Sequence, residues 1–326
     1  MSNVNAQNPD FLFMVEQAIK APSGHNTQPW IFKMNDKSIE IHPNLDKSLP
    51  VVDFDNRELF VSLGCTTENL CIAASFKGYE TDISINKEGT ITIGLQRSPT
   101  VIPNSLFDQI AIRQTNRSIY NGKIIPKETI GKLKAIPVEP GIKIHFYGAG
   151  TKEFDDISAY IYSGNAIQMR DKSFQEELKN WMRYNKKHQN ETNDGLSYAV
   201  FGAPNLPKFI VKPIMSRAIN EKSQNKGDRE KLQSSSHLVL LTTQNNTIEE
   251  WINLGRVLER VLLQSTAMGM AHSYFNQPNE IRELAVQMAK SLQLSGEHPT
   301  ILIRLGYGEK MPYSKRKDIR EVMTKD

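Results

Sequence analysis

The stretch Ala21-Pro22-Ser23-Gly24-His25-Asn26-Thr27-Gln28-Pro29-Trp30 gathers small, hydroxyl and amide residues between two prolines. Such a segment builds no core. It presents backbone N–H groups, a serine hydroxyl and two side-chain amides to a flat polar ligand, with Trp30 anchoring the exit. By composition alone it also reads as an ordinary helix-to-strand turn. A second stretch, Arg113-Gln114-Thr115-Asn116-Arg117, sets two guanidiniums four residues apart around a hydroxyl. Arg113 and Arg117 can make forked, charge-assisted hydrogen bonds to a phosphate, and Thr115 can add its hydroxyl. Free N–H groups at a helix or loop start would add to both. The same R-x-x-x-R spacing is common on solvent-facing helices.

Other chemistries find no motif. Gly148-Ala-Gly150-Thr-Lys152 lacks the spacing of a phosphate loop, and Gly306-Tyr-Gly308 lacks the third glycine of a dinucleotide fingerprint. None of the seven histidines falls in H-E-x-x-H, and there is no nucleophile elbow. Cys65 and Cys71 lie six apart in a helical pattern and fit neither a disulfide framework nor a metal site. The expectation is no metal and no side-chain catalytic dyad.

The elements that must position these residues follow from periodicity. A helix is expected from Asn8-Pro9-Asp10 to before Pro22, strands over Trp30–Phe32 and Ser38–His42, and a long helix from Arg57 to Lys77 stopped by Gly78. Strands over 81–86 and 90–95, a short helix after Pro126 and a strand over 142–147 follow. Residues 151–188 read as helical. Asn190 to Gly227 has no clear period and reads as part of a lid. A strand at 237–242, helices at 249–268 and 279–294 and a strand at 300–305 complete the chain. One pattern recurs: Gly64, Glu68 and Gly78 in the first long helix match Gly255, Glu259 and Gly269 in the later one at a constant offset. That points to a tandem duplication.

The loop pattern A-P-S-x-x-N-x-Q-P-W resembles the flavin-contacting loop of the nitroreductase superfamily, and its GHNTQPW form is similar to the Acg-type branch. Nitroreductases are usually homodimers whose two flavin sites are each built from both subunits. One subunit gives an arginine-rich element and C-terminal basic residues to the phosphate; the other gives the P-S-x-x-N loop. Here the first half has the loop but no arginine pair. The second half has Arg113 to Arg117 but carries Ile136-Pro-Val-Glu-Pro-Gly141 where its own loop would lie. The resemblance therefore implies an α+β, nitroreductase-like fold of two pseudo-symmetric halves. Each has a mainly antiparallel sheet flanked by helices, and together they mimic the dimer in one chain. The first half would span 1–103 and the second 104–326, with the lid-like insertion at about 190–227.

For function the resemblance implies one FMN site. Pro22, Ser23, Gly24 and Asn26 match the loop contacts to the ring, and Gln28 orders the loop. Arg113, Thr115, Arg117 and the C-terminal Arg316 would hold the phosphate. Tyr274, Asn276 and Gln277 occupy the place where the family's backbone approaches the reactive edge of the ring. Lys231 would reach the opposite edge and stabilise the reduced ring electrostatically, although Asp228 puts a charge where an amide is expected. The expected activity is FMN-dependent oxidoreduction from NAD(P)H to a nitroaromatic, quinone or similar acceptor. The alternative is an FMN-sequestering protein with a closed lid and little turnover. His25 and His272 can lie near the ring or act as local hydrogen bonders.

Composition bounds the partners. The 326 residues are 39% hydrophobic and 23% charged, with a net charge of +4, as in a globular protein with one large core or two packed halves. The basic tail from Lys310 to Lys325 reads as a solvated end rather than a nucleic-acid arm. The first ten residues are polar, and no run is read as reaching transmembrane length. The expectation is a cytoplasmic protein without membrane or nucleic-acid partners, as a monomer or a homodimer.

Overall fold

The computed structural model describes residues 8–324. The polar stretch before Asn8, and Lys325 of the basic tail, lie outside the described residues. In chain order the first part comprises α1 (Pro9–Ala18), β1 (Trp30–Met34), β2 (Ser38–Pro43), α2 (Arg57–Phe76), β3 (Tyr79–Ile85) and β4 (Ile91–Arg97). Next come α3 (Gln109–Ile112), α4 (Lys127–Lys134), β5 (Ile142–Gly148), α5 (Lys152–Arg170) and α6 (Lys172–Trp181). They are followed by β6 (Met182–Arg183), α7 (Lys186–Thr192), β7 (Leu196–Ser197), α8 (Lys208–Ala218) and α9 (Glu221–Gln233). The chain closes with β8 (His237–Thr243), α10 (Ile248–Ala267), β9 (Ala271–Tyr274), α11 (Arg282–Ser291), β10 (His298–Gly306) and α12 (Ile319–Val322).

The strands form two four-stranded antiparallel sheets of the same order, β1-β2-β4-β3 and β5-β8-β10-β9. In each, the outermost strand next to the last is reached directly from a long central helix, α2 or α10, through a left-handed glycine. Gly78 has φ +75° and Gly269 φ +73°, the conformation that ends a helix and that a Cβ disfavours. In the first sheet burial alternates along β3 and β4, whereas the central β8 and β10 of the second are buried on both faces; Ile39 pairs with Met34 and Ile93, and Val239 with Phe146 and Ile303.

α2 and α10 pack against each other at Gly64 and Gly255. A Cβ on Gly64 would stand 2.0 Å from the Ile252 carbonyl oxygen, and one on Gly255 would stand 2.0 Å from that of Val61. Each glycine thus admits the other helix's backbone. Beside the crossing Phe60 and Trp251 stack across the same axis, with centroids 6.2 Å apart. α2 is buried on almost every face, from Leu59 to Ala74, which explains its weak amphipathic period. It also departs from the expectation that no run reaches transmembrane length, since by length and composition it does. Here it is a core helix.

Two expected elements differ. The run read as one helix over 151–188 breaks at Asp171, whose side chain caps α6 by accepting the Ser173 N–H at 2.8 Å, and breaks again at Met182. The stretch from Asn190 to Gly227 is not without regular structure, since α8 lies within it and α7 and α9 extend into it. Its periodicity was hidden because α8 contains Pro213 and α9 buries only Asp228 and Leu232 among polar residues. The basic tail, expected to be solvated, is pinned instead. The Met311 N–H donates to Gln114 Oε1 at 2.7 Å, the Tyr313 hydroxyl donates to the Ile112 carbonyl at 2.9 Å, and the Thr324 N–H donates to the Phe32 carbonyl at 2.9 Å.

Candidate functional site

The loop after α1 carries three non-glycine residues in the left-handed region: His25 at φ +46°, Asn26 at +57° and Gln28 at +56°. Each such residue costs on the order of 1 kcal/mol or more. Within the loop, Ser23 Oγ accepts the Gln28 N–H at 3.0 Å. The rest of the support comes from distant parts of the chain. Asn26 Nδ2 donates to the carbonyls of Gly195 and Lys315 at 3.2 and 3.1 Å, and its Oδ1 accepts from Arg316 Nη1 at 2.8 Å. Gln28 Nε2 donates to Asn193 O at 2.8 Å, and Gln28 Oε1 accepts the Lys317 N–H at 2.8 Å. At about 1 kcal/mol net per hydrogen bond, these are comparable with the strain they offset. The insertion and the tail therefore set the shape of the loop.

Behind the loop lies a cavity of about 190 Å³. Arg113, Arg117 and Arg316 converge on it, together with Thr115, Ser23 and Asn26. Arg113 Nη2 donates to the Lys20 carbonyl at 2.7 Å; Arg316 Nη2 donates to the same carbonyl at 3.3 Å and to Ala21 O at 3.1 Å. Arg113 Nε is 3.4 Å from Glu259 Oε1, with both side chains almost wholly buried. The Nε atoms of Arg113 and Arg316 are buried without a hydrogen-bond acceptor. Arg117 makes no hydrogen bond or ion pair with the described residues and lies 5.7 Å over the Phe201 ring. Burial, with Arg113 next to it, lowers Arg316 to about 9; burial also pulls Arg117 down. Burial raises Glu259 to about 7 despite Arg113. Three guanidiniums thus line one cavity with a single carboxylate beside them, a positive balance that suits an anion.

This cavity runs on, past the shared residues Pro22, Ser23, Thr115, Arg117 and Leu196, into one of about 510 Å³. Its polar wall is a connected network. Asp228 accepts from Lys231 Nζ at 3.0 Å, from the amides of Asn165 and Gln224 at 2.9 Å each and from Gln277 at 3.3 Å. The charge that stood in the way of Lys231 is thereby paired and hydrogen-bonded. On an adjoining wall, Asn276 Nδ2 donates to Glu58 Oε1, and Asn276 Oδ1 accepts the Leu302 N–H at 3.0 Å. Glu280 accepts from Gln168 Nε2. Asp53 accepts the N–H groups of Glu58 and Leu59 at 2.9 Å each, and so caps α2 from outside. Burial, then the nearby Glu58, pushes Asp53 up to about 7. The apolar lining comes from α6 and β6, through Phe174, Leu178 and Met182, and from the insertion, through Phe201, Ile214 and Ile219.

Of the residues expected from sequence, Pro22, Ser23, Gly24, Thr115, Arg117, Lys231, Tyr274, Asn276 and Gln277 line the larger space. Asn26, Arg113 and Arg316 line the smaller one. Asn26 was expected at the ring, but its amide is spent on the insertion and the tail. Gln28 lines neither cavity and orders the loop. His25 lines the larger cavity, and burial, then Arg117, lowers it to about 4. His272 is buried away from both cavities, its ring nitrogens unpartnered, and burial, then Arg113, lowers it to about 3. Glu58, Glu280 and Glu259 were not read from sequence as site residues. A Glu at a helix start is unremarkable, and only the packing of α2 against residues 276–280 brings Glu58 to Glu280.

No family model matches the chain. It is 24% identical over 321 residues to a Mycobacterium tuberculosis protein named "Putative NAD(P)H nitroreductase", seen in strains H37Rv and CDC 1551; the alignment covers 94% of this chain and 88% of that one. Among solved structures it is similar to the FMN-dependent nitroreductase NfnB from Mycobacterium smegmatis in complex with NADPH, at 14% identity and a TM-score of 0.43, over 67% of this chain and 96% of that one. A nitroreductase with bound FMN from Bacteroides fragilis aligns at 14% identity and a TM-score of 0.39, over 66% and 94%. Across nearly its whole length, the P-S-x-x-N loop included, the chain is thus similar to proteins named as nitroreductases.

Proposed function

We propose that the chain is an FMN-dependent oxidoreductase that takes electrons from NAD(P)H and passes them to a small acceptor such as a nitroaromatic or a quinone. The observation that carries this is the cavity where Arg113, Arg117 and Arg316 face only Glu259, with buried guanidinium nitrogens lacking acceptors. A phosphate monoester carries a charge of about −1.5 to −2 and supplies the missing acceptors. The adjoining larger cavity is shaped for a planar group, with a polar wall on one side and an apolar one on the other.

When bound, FMN supplies the two-electron chemistry. The residues of this chain bind, orient and shield it. Ser23, Gly24 and the left-handed loop form one edge of the slot; Tyr274, Asn276 and Gln277 form another. Lys231, held by Asp228, presents its ammonium donors on the polar wall. The insertion covers the apolar side and limits water. In this reading residues 1–103 and 104–326 are the two halves, and both contribute to one site.

The test is titration of flavin-free protein with FMN and with riboflavin, followed by anaerobic addition of NADPH or NADH. FMN should bind at least about tenfold more tightly than riboflavin, because charge-assisted phosphate contacts contribute roughly 1.5–3 kcal/mol. Nicotinamide should then bleach the yellow absorbance. Equal affinity for both flavins rejects the phosphate assignment; bleaching by dithionite alone favours sequestration over turnover.

A further inference from the structure

α8 is anchored to the rest of the chain by very little. Among its described residues only Val211 is buried, in a cluster with Met182, Tyr184 and Tyr198. Phe209 is 77% exposed and Ile214 60%, and Ile210 is exposed as well. At helical spacing these three share one broad arc with Pro213, and Val211 lies away from its centre. Phe201 and Leu206, on the approach to the helix, are exposed too. A surface helix ordinarily turns its apolar arc inward; this one turns it outward. A contiguous exposed apolar patch marks a surface that another body covers.

Charge decides what that body is. Between Asp194 and Glu221 the sequence holds no acidic residue and three basic ones, Lys208, Lys212 and Arg217. The acids bordering the segment are engaged elsewhere: Glu191 pairs with Lys187 at 3.9 Å, Asp194 with Arg183 at 2.6 Å and Glu221 with Arg170 at 2.8 Å. Among the described residues none of the three cations has a carboxylate partner, and Lys208 lies 5.8 Å over the Tyr184 ring. Lys208 and Lys212 run along one edge of the apolar arc, and Arg217 stands near its C-terminal end. A second copy of the chain on this face would bring like charges together. An anionic lipid surface suits both features, since headgroups take the cations and the acyl boundary takes the apolar side chains.

The patch also continues inward. Phe201 and Ile214 are exposed to solvent and line the larger cavity as well, where Ile219, Met182 and Phe174 extend the apolar lining. Apolar surface thus runs from the outer face of α8 into the cavity. We infer that α8 docks on an anionic bilayer, with Phe209, Ile210 and Ile214 in the acyl boundary and Lys208, Lys212 and Arg217 at the headgroups, and that the electron acceptor enters from that bilayer as a lipid-soluble quinone. The docking surface stands on the geometry alone; the identity of the acceptor rests on the function proposed above. Reduction of the quinone to the hydroquinone takes a hydride equivalent from NAD(P)H, whose C–H bond breaks, and one proton from water, and two O–H bonds form. A helix of this kind lies in the plane of the interface, so spanning length gave no sign of it.

The experiment uses the full chain and phosphatidylcholine vesicles that contain or lack phosphatidylglycerol. Wild type should sediment with the anionic vesicles, less so as salt rises, and far less with the neutral ones. Phe209→Ser should weaken this binding about tenfold through lost apolar burial, and Lys212→Glu, a change of two charges, about 30-fold. Neither residue lines a cavity. Loaded with FMN, both variants should therefore reduce water-soluble 1,4-benzoquinone with NADPH within about twofold of wild type. With a decyl-chain benzoquinone carried in the anionic vesicles, below saturating vesicle concentration, turnover should fall in each variant in step with its binding. No binding, equal binding to both kinds of vesicle, or variants that bind as wild type does overturns the docking surface. A dimer in sedimentation velocity that Phe209→Ser dissolves overturns it too, giving the face to a second copy. Weakened binding with unchanged turnover of the decyl quinone overturns the delivery route. No reduction of either quinone by FMN-loaded wild type overturns the proposed function, and vesicle binding then decides the docking surface by itself.

Discussion

The two sides of the α2–α10 crossing share a frame and differ in charge. On one side Glu68 is held by α10: Arg260 Nε and Nη2 reach it at 2.7 and 2.9 Å and Arg256 Nε at 3.3 Å. Glu139 adds bonds to Arg256 at 3.0 Å and Arg260 at 2.8 Å, and the Pro137 carbonyl accepts from Arg260 at 3.1 Å. Two acids meet two guanidiniums, and the loop around Pro137 closes over them. On the other side Glu259 faces Arg113, and at the positions matching Arg256 and Arg260 stand the neutral Cys65 and Asn69. Positive charge there is left in excess and the space stays open. One side of the frame satisfies its ions internally; the other leaves positive charge in excess beside an open cavity.

The largest effect should come where both sides are joined. Gly64→Ala and Gly255→Ala each drive a Cβ to 2.0 Å from a carbonyl oxygen, so each should lose about 3 kcal/mol or more of stability in chemical denaturation. Similar losses from the two would support the pseudo-symmetry; a loss from only one would break it. By contrast Gly78→Ala and Gly269→Ala meet no atom within 4 Å, and only their φ of +75° and +73° resists, so about 1 kcal/mol each is expected.

Next in size is the contrast between the two charge clusters. Arg260→Ala should cost about 3 kcal/mol of stability by stranding Glu68 and Glu139, with FMN affinity unchanged. Arg117→Ala, which removes an arginine without an ion pair, should leave the denaturation midpoint of flavin-free protein nearly unchanged but weaken FMN binding by about 10- to 100-fold, with riboflavin unaffected. If Arg117→Ala unfolds the protein while Arg260→Ala abolishes FMN binding, the roles of the two sides are reversed.

The last contrast is in pH dependence. Glu259, raised from 4.5 to about 7 by burial, binds its proton more tightly folded than unfolded. Its contribution is therefore present below about 4.5 and lost as pH rises through 7. Asp53, raised from 3.8 to about 7, acts in the same direction. His25, lowered to about 4, and His272, lowered to about 3, act the opposite way: their contribution is present above about 6.5 and is lost as pH falls toward those values. Glu259→Gln in flavin-free protein should therefore flatten the decline of stability between about pH 4.5 and 7 by at most about 1.4 kcal/mol per pH unit. An unchanged slope would show that Glu259 is ionised throughout.

What could be read in advance was whatever is encoded locally. Strand alternation, Pro9 at the start of α1 and the glycines ending α2 and α10 act over a few residues, and so they located most elements to within about a turn. The recurrence of Gly64, Glu68 and Gly78 in the second half pointed to two similar sheets, and the opening loop and Arg113 to Arg117 supply residues that line the two connected cavities. Other features depended on contacts between residues far apart in the chain. Asn26 and Gln28 turned inward because Gly195, Asn193 and the tail supply their partners. Asp228 became harmless to Lys231 because Asn165, Gln224 and Gln277 converge on it. Glu58 met Glu280 only when the halves packed. Hydrogen bonds and charges take their meaning from neighbours in space, and burial multiplies their consequence, so folding alone decided which side of the α2–α10 crossing kept an open, positively charged cavity.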